Sequence, residues 1–274
     1  MTEIGQSIAK AEKNMMEGQL KLAAEGYKKV HKKDPSIIRV VYNLGTIYYT
    51  LGDILESIKY LEKTIELKPN YSLALYKLGI SYFRDTNFTK AIETFEKIID
   101  SGSDLYMAHY WIALSYYHTG NPGKAIYHFD VLHEKTPKTS LGFYQKSIVM
   151  SSSGKHKQAV KCLNKIADEN PGIVTVQYHL GSAYLGMKDI KNAIKQFKKV
   201  LKMQPNHFGA KIKLDSLIID QEMLYNFGIE EFVDESDESD MVTNFHVGRV
   251  YKGMTILEEA FKHFKDRISK EKKK

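Results

Sequence analysis

Apolar, polar and small side chains recur along the chain at a fixed interval of 34 residues. One column of this pattern is alanine in five of its six places. Its members are Ala23, Ser57, Ala91, Ala125, Ala159 and Ala193. Self-similarity at this period indicates a stack of repeated helical units.

Two further columns keep the same interval, and together they suggest how each unit packs. A second small column lies at Ala11, Gly45, Gly79, Ala113, Ser147 and Gly181. A column of large residues lies at Tyr27, Leu61, Phe95, Phe129, Leu163 and Phe197. We expect the small residues where two helices cross, since small side chains let backbones approach, and the large residues beside that crossing.

The second unit shows the predicted helices most clearly. Apolar periodicity predicts helix A over residues 38–50 and helix B over residues 54–67. Gly52 and Asp53 form the turn between them, with Asp53 placed to cap helix B. Pro69 ends helix B, because proline restricts the residue before it and cannot donate a helix hydrogen bond. Each unit is therefore predicted to be a helix–turn–helix pair.

Prolines mark the end of most units. Five of the six prolines lie on the same lattice, at Pro35, Pro69, Pro137, Pro171 and Pro205. The period, with the patterns L-G-x-x-Y, A-x-x-x-F/L and P, resembles that of tetratricopeptide repeats. Leu44-Gly45-x-x-Tyr48, Leu78-Gly79-x-x-Tyr82 and Leu180-Gly181-x-x-Tyr184 match this pattern outright. Lys10 and Lys146 stand where leucine is expected, so the first and fifth units depart most.

The resemblance implies an all-α fold, a right-handed α-solenoid of stacked helix–turn–helix pairs. Six units are expected within residues 4–205. Their ranges are 4–37, 38–71, 72–105, 106–139, 140–173 and 174–207. Stacking is what stabilises such an array, because one pair cannot bury its apolar faces alone.

Beyond Pro205 the repeat pattern weakens. An additional capping helix is predicted over 208–228, then an acidic mobile loop over 229–240 and a basic tail over 270–274. Between them, residues 241–269 show the repeat spacing again, so a divergent helical pair is predicted there, with a capping box at Thr255 and Glu258. The alternative is one amphipathic helix that dimerises or binds a membrane surface.

No catalytic or cofactor chemistry is predicted, and the expected function is not enzymatic. The histidines are scattered, and the sequence contains no H-E-x-x-H or C-x-x-C motif. Cys162 is interpreted as a reduced packing residue, and Gly120–Lys124 as a turn because it lacks phosphate-loop spacing. A single cysteine and the absence of a secretory or membrane-spanning pattern favour the cytoplasm.

The resemblance also implies where a partner binds. In the family, the A helices line a concave groove through positions 2, 5, 9, 12 and 13 of each unit. The residues at these positions that we assign to the groove are mostly aromatic or aliphatic. They are Tyr42, Tyr49, Leu73, Tyr76, Ile80, Phe83, Met107, Tyr110, Leu114, Tyr117, Leu141, Tyr144, Ile148 and Tyr178. Tyrosine at position 5 is also the usual residue of the family there, so the apolar residues at positions 2 and 9 favour a binding role more strongly.

A known family mode is not expected here. Members that grip a chaperone's C-terminal carboxylates use lysine, asparagine and arginine at fixed positions, which here include Ile8, Glu12 and Leu73. The hypothesis is therefore an adaptor or scaffold that binds an apolar peptide or helix of a partner protein, without a small-molecule substrate. The alternatives are a dedicated chaperone for a secreted or assembling client, or binding of nucleic acid or anionic membrane through the basic tail, favoured by the net charge of +7. The sequence does not define the oligomeric state.

Overall fold

The computed structural model describes residues 2–103 and 105–226, and all regular elements within them are α-helices. The helices are α1 (Glu3–Met16), α2 (Leu20–Lys33), α3 (Ile38–Leu51), α4 (Ile54–Leu67), α5 (Ser72–Arg84), α6 (Phe88–Asp100), α7 (Met107–His118), α8 (Pro122–Lys135), α9 (Leu141–Ser152), α10 (His156–Glu169), α11 (Val174–Gly186), α12 (Ile190–Met203) and α13 (Phe208–Asn226). The fold is thus the all-α helical repeat that the sequence predicts.

The helices are grouped in two compact units, Met1–Ser153 and Gly154–Lys274. In the first unit each of α1 to α8 packs on the helix that follows it, and α5 also packs on α3 and α7. In the second unit α11 packs between α10 and α12, and α12 packs on α13. Each unit is held together by contacts between helices close in sequence, as expected of repeat proteins.

The helix crossings are closely packed, as the small and large columns predict. A Cβ atom added at Gly45 would lie 2.7 Å from Leu61, and one at Gly79 would lie 2.6 Å from Phe95. The Ser57 hydroxyl donates to the Gly45 carbonyl oxygen at 2.9 Å across the same crossing. The residues of the alanine column are fully buried. These positions are therefore small because the facing helix occupies the space that a side chain would need.

The turns between paired helices follow one pattern. Gly52 ends α3 in the left-handed conformation, with φ of 85°, and the Asp53 side chain accepts a hydrogen bond from the Glu56 amide. Asn87, Asn121 and Asp189 cap α6, α8 and α12 in the same way. The predicted helices of the second repeat and the cap at Asp53 are confirmed.

The last described helix, α13, begins after Pro205 and packs on α12 through Ala210, Leu214 and Leu217, which are buried. The predicted acidic loop, the pair or amphipathic helix at 241–269 with its capping box, and the basic tail lie outside the described residues.

Candidate functional site

The helices α3, α5, α7 and α9 present a row of partly exposed side chains, here called the helix-A surface of the first unit. Of the fourteen residues assigned to the groove, none is buried, twelve are partly exposed, and Leu73 and Leu141 are exposed. Leu73 exposes 53% of its surface. The remaining ones combine contact with the core and contact with solvent. This placement contrasts with the buried columns at the helix crossings and leaves the row accessible to a ligand.

The tyrosines at position 5 pack against the large column of helix B. The ring of Tyr76 lies 5.8 Å from that of Phe95, and the ring of Tyr110 lies 6.0 Å from that of Phe129. Burial raises the pKa of the Tyr110 phenol. These tyrosines therefore support the repeat fold with one face of the ring, and this limits their use in mutational tests of binding.

An aromatic cluster joins α5, α6 and α7 on this surface. Its members are Tyr76, Phe83, Phe88, Trp111 and His118. The Trp111 indole nitrogen donates to the Tyr76 hydroxyl at 3.0 Å, and its ring lies edge-on to Phe83 at 5.2 Å. Phe88 stacks on His118 at 4.8 Å. Edge-on and stacked rings hold each other rigidly, so the cluster is a preorganised apolar platform.

Two cations border the same surface beside α3. The Lys77 ammonium lies 5.6 Å from the centre of the Tyr49 ring, and the Arg84 guanidinium lies 4.8 Å from it. Arg84 also donates to the Tyr49 carbonyl oxygen at 3.4 Å. Burial lowers the pKa of Lys77. The helix-A surface is thus apolar and aromatic in its centre and positively charged at its α3 side.

An open cavity of about 340 Å³ lies between α1, α2 and α3, lined by Glu12, Met15, Met16, Tyr27 and Asn43. The Asn43 amide donates to the Tyr27 hydroxyl at 2.9 Å. Glu12 is paired with Arg39 at 3.1 Å. The polar lining residues Glu12, Tyr27 and Asn43 therefore each have a polar partner within the protein.

The carboxylate-binding arrangement of chaperone-binding relatives has no counterpart here. Ile8 is buried, Glu12 carries the wrong charge, and Leu73 is aliphatic. Asn43 and Lys77, which stand at two of the family's positions, therefore lack the companions that such an arrangement requires.

Tyr178 is the one assigned groove residue in the second unit. Its ring packs at 5.9 Å from Phe197 and 4.9 Å from His207, and the Lys213 ammonium lies 5.9 Å from the ring centre. Burial lowers the pKa of Lys213. Tyr178 thus repeats the packing of Tyr76 and Tyr110, and the other thirteen residues form the candidate site.

In the described part of the chain, no group of three or more histidine, cysteine, aspartate or glutamate side chains is placed to hold a metal ion. None of the described helices is long and apolar enough to cross a membrane.

Three members of the aromatic cluster, Trp111, Phe88 and His118, were not predicted from the sequence. Trp111 directly follows Tyr110 in the sequence. The one feature that could have indicated its role is that a tryptophan stands where the second repeat has the smaller polar residue Asn43. Arg84 was also missed, because its convergence with Lys77 on Tyr49 depends on the packing of α5 against α3.

Comparison with known proteins agrees with the repeated helix–turn–helix pairs of the structure. Family models described as tetratricopeptide repeat match residues 76–138, and residues 38–71 and 174–207. A sequence search among curated proteins gives no significant match.

Solved structures share the fold at low sequence identity. The C-terminal part of a TPR repeat-containing protein from Cytophaga hutchinsonii is 15% identical, with a TM-score of 0.68 over 92% of this chain and 98% of that one. PilW, a type IV pilus biogenesis factor, is 13% identical, with a TM-score of 0.64 over 78% and 100% of the two chains. YrrB, a TPR protein with an unusual peptide-binding site, is 18% identical, with a TM-score of 0.57 over 69% and 98%.

The 34-residue pairs, their closely packed crossings and their helix-A surface define a helical-repeat protein of the scaffold class. The chain contains tetratricopeptide repeats, in the residues that the family models match.

Proposed function

We propose that this protein is a non-enzymatic adaptor that binds an apolar peptide or helical segment of a partner protein on the helix-A surface of its first unit. The observation that carries the proposal is the aromatic cluster around Trp111, continued by apolar side chains that are exposed, as Leu73 is, or partly exposed. Leu73, Ile80, Met107 and Leu114 lie on the same helices as the cluster. Exposed apolar side chains grouped in this way mark contact surfaces in soluble proteins.

The rigidity of the cluster supports binding rather than a purely structural role. Aromatic anchors bind well when their rotamers are fixed before the partner arrives, because less conformational entropy is lost. The Trp111–Tyr76 hydrogen bond and the edge-on contact with Phe83 fix them here. Since YrrB, a protein of this fold, carries a peptide-binding site, the fold is compatible with this role.

The test requires a ligand of known sequence, which a displayed random peptide library selected on the intact protein would supply. The synthetic form of a selected peptide is then titrated by calorimetry into wild type, Leu73→Ser and Leu141→Ser. Both leucines are exposed, so their replacement leaves the core intact. Loss of one buried leucine contact of about 2 kcal/mol should weaken binding roughly thirtyfold.

Leu55→Ser is the matched control, because Leu55 is a leucine of α4 that exposes 70% of its surface. It should bind the peptide like wild type, as should a chain truncated after Ser269. Equal affinities in the Leu73, Leu141 and Leu55 variants would contradict the proposal. Loss of binding in the truncated chain alone would transfer the site to the basic tail.

A further inference from the structure

Two positively charged side chains of α5 meet at one ring of α3. Lys77 and Arg84 are seven residues apart on the same helix, so both project from one face. Their charged groups lie 5.6 Å and 4.8 Å from the centre of the Tyr49 ring. The ring face attracts both cations, and the Tyr49 carbonyl accepts a hydrogen bond from Arg84.

Neither cation has a carboxylate within ion-pair distance among the residues that the structure describes. Ion pairs found there involve other cations, among them Lys13, Lys33, Arg39, Lys59, Lys63 and Lys146. Arg39 makes a useful comparison, because it lies on the neighbouring α3 and is paired with Glu12 at 3.1 Å. Arg39 is therefore paired with a carboxylate, whereas Lys77 and Arg84 contact only the ring and the carbonyl oxygen of Tyr49.

The positive charges of Lys77 and Arg84 are thus not balanced by a negative charge among the described residues. Lys77 is partly removed from water, and burial accordingly lowers its pKa. Arg84 brings a second positive charge to the same tyrosine ring, at the edge of an aromatic surface where charges interact more strongly than in water. An anion in contact with these side chains would compensate the desolvation of Lys77.

We propose that Lys77, Arg84 and Tyr49 form a subsite for an acidic side chain, so that the bound segment carries a glutamate or aspartate next to its apolar residues. This inference rests on the proposed function, since the subsite lies on the same helix-A surface. Leu73 and Ile80 lie on α5 with the two cations, so the ligand must offer apolar groups beside the carboxylate. A protein segment meets this requirement better than a phosphate backbone, which presents charge without an apolar face.

The carboxylate belongs to a side chain within the segment. Recognition of a chain terminus by the chaperone-binding relatives needs further donors, and this chain has Ile8, Glu12 and Leu73 at those positions. Binding should therefore be indifferent to whether the ligand's C-terminus is free or amidated.

The test uses amphipathic synthetic peptides with an identical leucine stripe, acetylated at the N-terminus. One carries glutamate at a central polar position and is amidated, the second carries glutamine there and is amidated, and the third is the glutamine peptide with a free C-terminus. Calorimetric titration into the intact protein should show the glutamate peptide binding about tenfold more tightly than either glutamine peptide, the effect of one charge-assisted hydrogen bond.

The double substitution Lys77→Gln with Arg84→Gln should remove this preference, so that this variant binds the glutamate peptide no more tightly than the amidated glutamine peptide. The conservative pair Lys77→Arg with Arg84→Lys should retain the preference, which shows that charge and not general packing is responsible. Lys90→Gln is the matched control, because Lys90 lies on α6, a helix B, and its ammonium is likewise close to a tyrosine ring, 5.2 Å from the centre of Tyr82. It should behave like wild type.

The outcomes separate this inference from the proposal on which it rests. Equal affinities of wild type for the glutamate and glutamine peptides, with both lost in Leu73→Ser, would overturn the acidic subsite and leave the groove standing. A gain in affinity from the free C-terminus equal to that from glutamate would also overturn it. No binding of any peptide to wild type would overturn both.

Discussion

At the scale of single residues, the turn that joins the two helices of a repeat requires a left-handed backbone. Gly18, Gly52, Gly120 and Gly154 occupy it with φ between 75° and 85°. Thr86 and Lys188 stand at the same place in their repeats and adopt φ of 61° and 67°. Side chains with a Cβ atom are disfavoured there, so these two residues are held in a strained conformation by the helices on either side.

Replacing Thr86 by glycine should therefore stabilise the protein. The relief of strain is about 1–2 kcal/mol, and the greater freedom of glycine in the unfolded chain offsets part of it, so a net gain of about 0.5–1 kcal/mol is expected. Urea unfolding of Thr86→Gly and Lys188→Gly measures this gain. Gly52→Thr is the reciprocal control and should destabilise. A loss of stability in both glycine variants would show that the turn is not strained.

A second feature at this scale is the pair His109 and His128, which links α7 to α8. Their Nδ1 atoms lie 3.0 Å apart, and His109 is buried. Burial and the neighbouring charges lower the pKa of both, that of His128 to about 4. Lys135 opposes protonation of His109, and His109 and Lys124 oppose protonation of His128. Both imidazoles are neutral in the folded protein near neutral pH.

The pair should make the fold sensitive to acid. In the unfolded chain these histidines have the ordinary pKa of 6.5 and bind protons that the folded state does not. Their contribution to stability is therefore full above pH 6.5 and falls as the pH drops from there towards 4. Urea unfolding at several pH values should show that the free energy of unfolding falls more steeply with decreasing pH in wild type than in His128→Asn. Parallel curves for the two proteins would contradict this explanation.

At the scale of helices, the fold depends on complementarity between a small residue on one helix and a large one on its partner. The crossing of α5 and α6 shows this most directly, since a Cβ atom on Gly79 would lie within 2.8 Å of three atoms of the Phe95 ring. Phe95 is fully buried, and in a closely packed core a ring of this size has little room to move aside.

Gly79→Ala should therefore destabilise the protein, although alanine is the better helix former. Overpacking in a core costs about 1–3 kcal/mol, against a gain in helix propensity of about 1 kcal/mol. Gly123→Ala provides the control, because Gly123 lies in α8, where the nearest atom to an added Cβ is 3.8 Å away. It should be neutral or stabilising in thermal unfolding. A higher melting temperature for both variants would mean that the crossing is loosely packed.

The sequence predicted these elements well because their signals are local and repeated. Columns of small and large residues, prolines at unit ends and capping residues each act within one repeat, so six copies reveal them. Other contacts join neighbouring repeats and do not recur along the chain. One is the hydrogen bond from Trp111 to Tyr76, and another is the contact of Lys77 and Arg84 with Tyr49. No periodic signal can indicate such contacts, and the candidate site was therefore predicted only as a surface.

At the scale of the whole molecule, the two compact units are separated after Ser153, within the fifth predicted repeat. This repeat departs from the family pattern at Lys146, where leucine is expected. The structure shows why lysine is accepted there, since its ammonium pairs with Asp130 of α8 at 2.5 Å and lies 5.9 Å from the Phe143 ring. A partner for the charge makes a polar residue tolerable at a half-buried position.

We propose above that a partner binds on the helix-A surface of the first unit. Trp111 is the only tryptophan of the chain and belongs to the aromatic cluster at the centre of that surface, so its fluorescence reports on this site alone. It is partly exposed in the free protein and can therefore respond to a ligand that covers it.

The most direct test is to titrate a selected apolar peptide into the intact protein and to follow Trp111 emission and its quenching by acrylamide. A peptide bound on the helix-A surface should shift the emission to shorter wavelength and protect Trp111 from acrylamide, with the same Kd as calorimetry gives. Leu73→Ser should weaken both signals in parallel, and Leu55→Ser should not. Calorimetric saturation without any change in Trp111 emission or quenching, and with unchanged affinity in Leu73→Ser, would contradict the account.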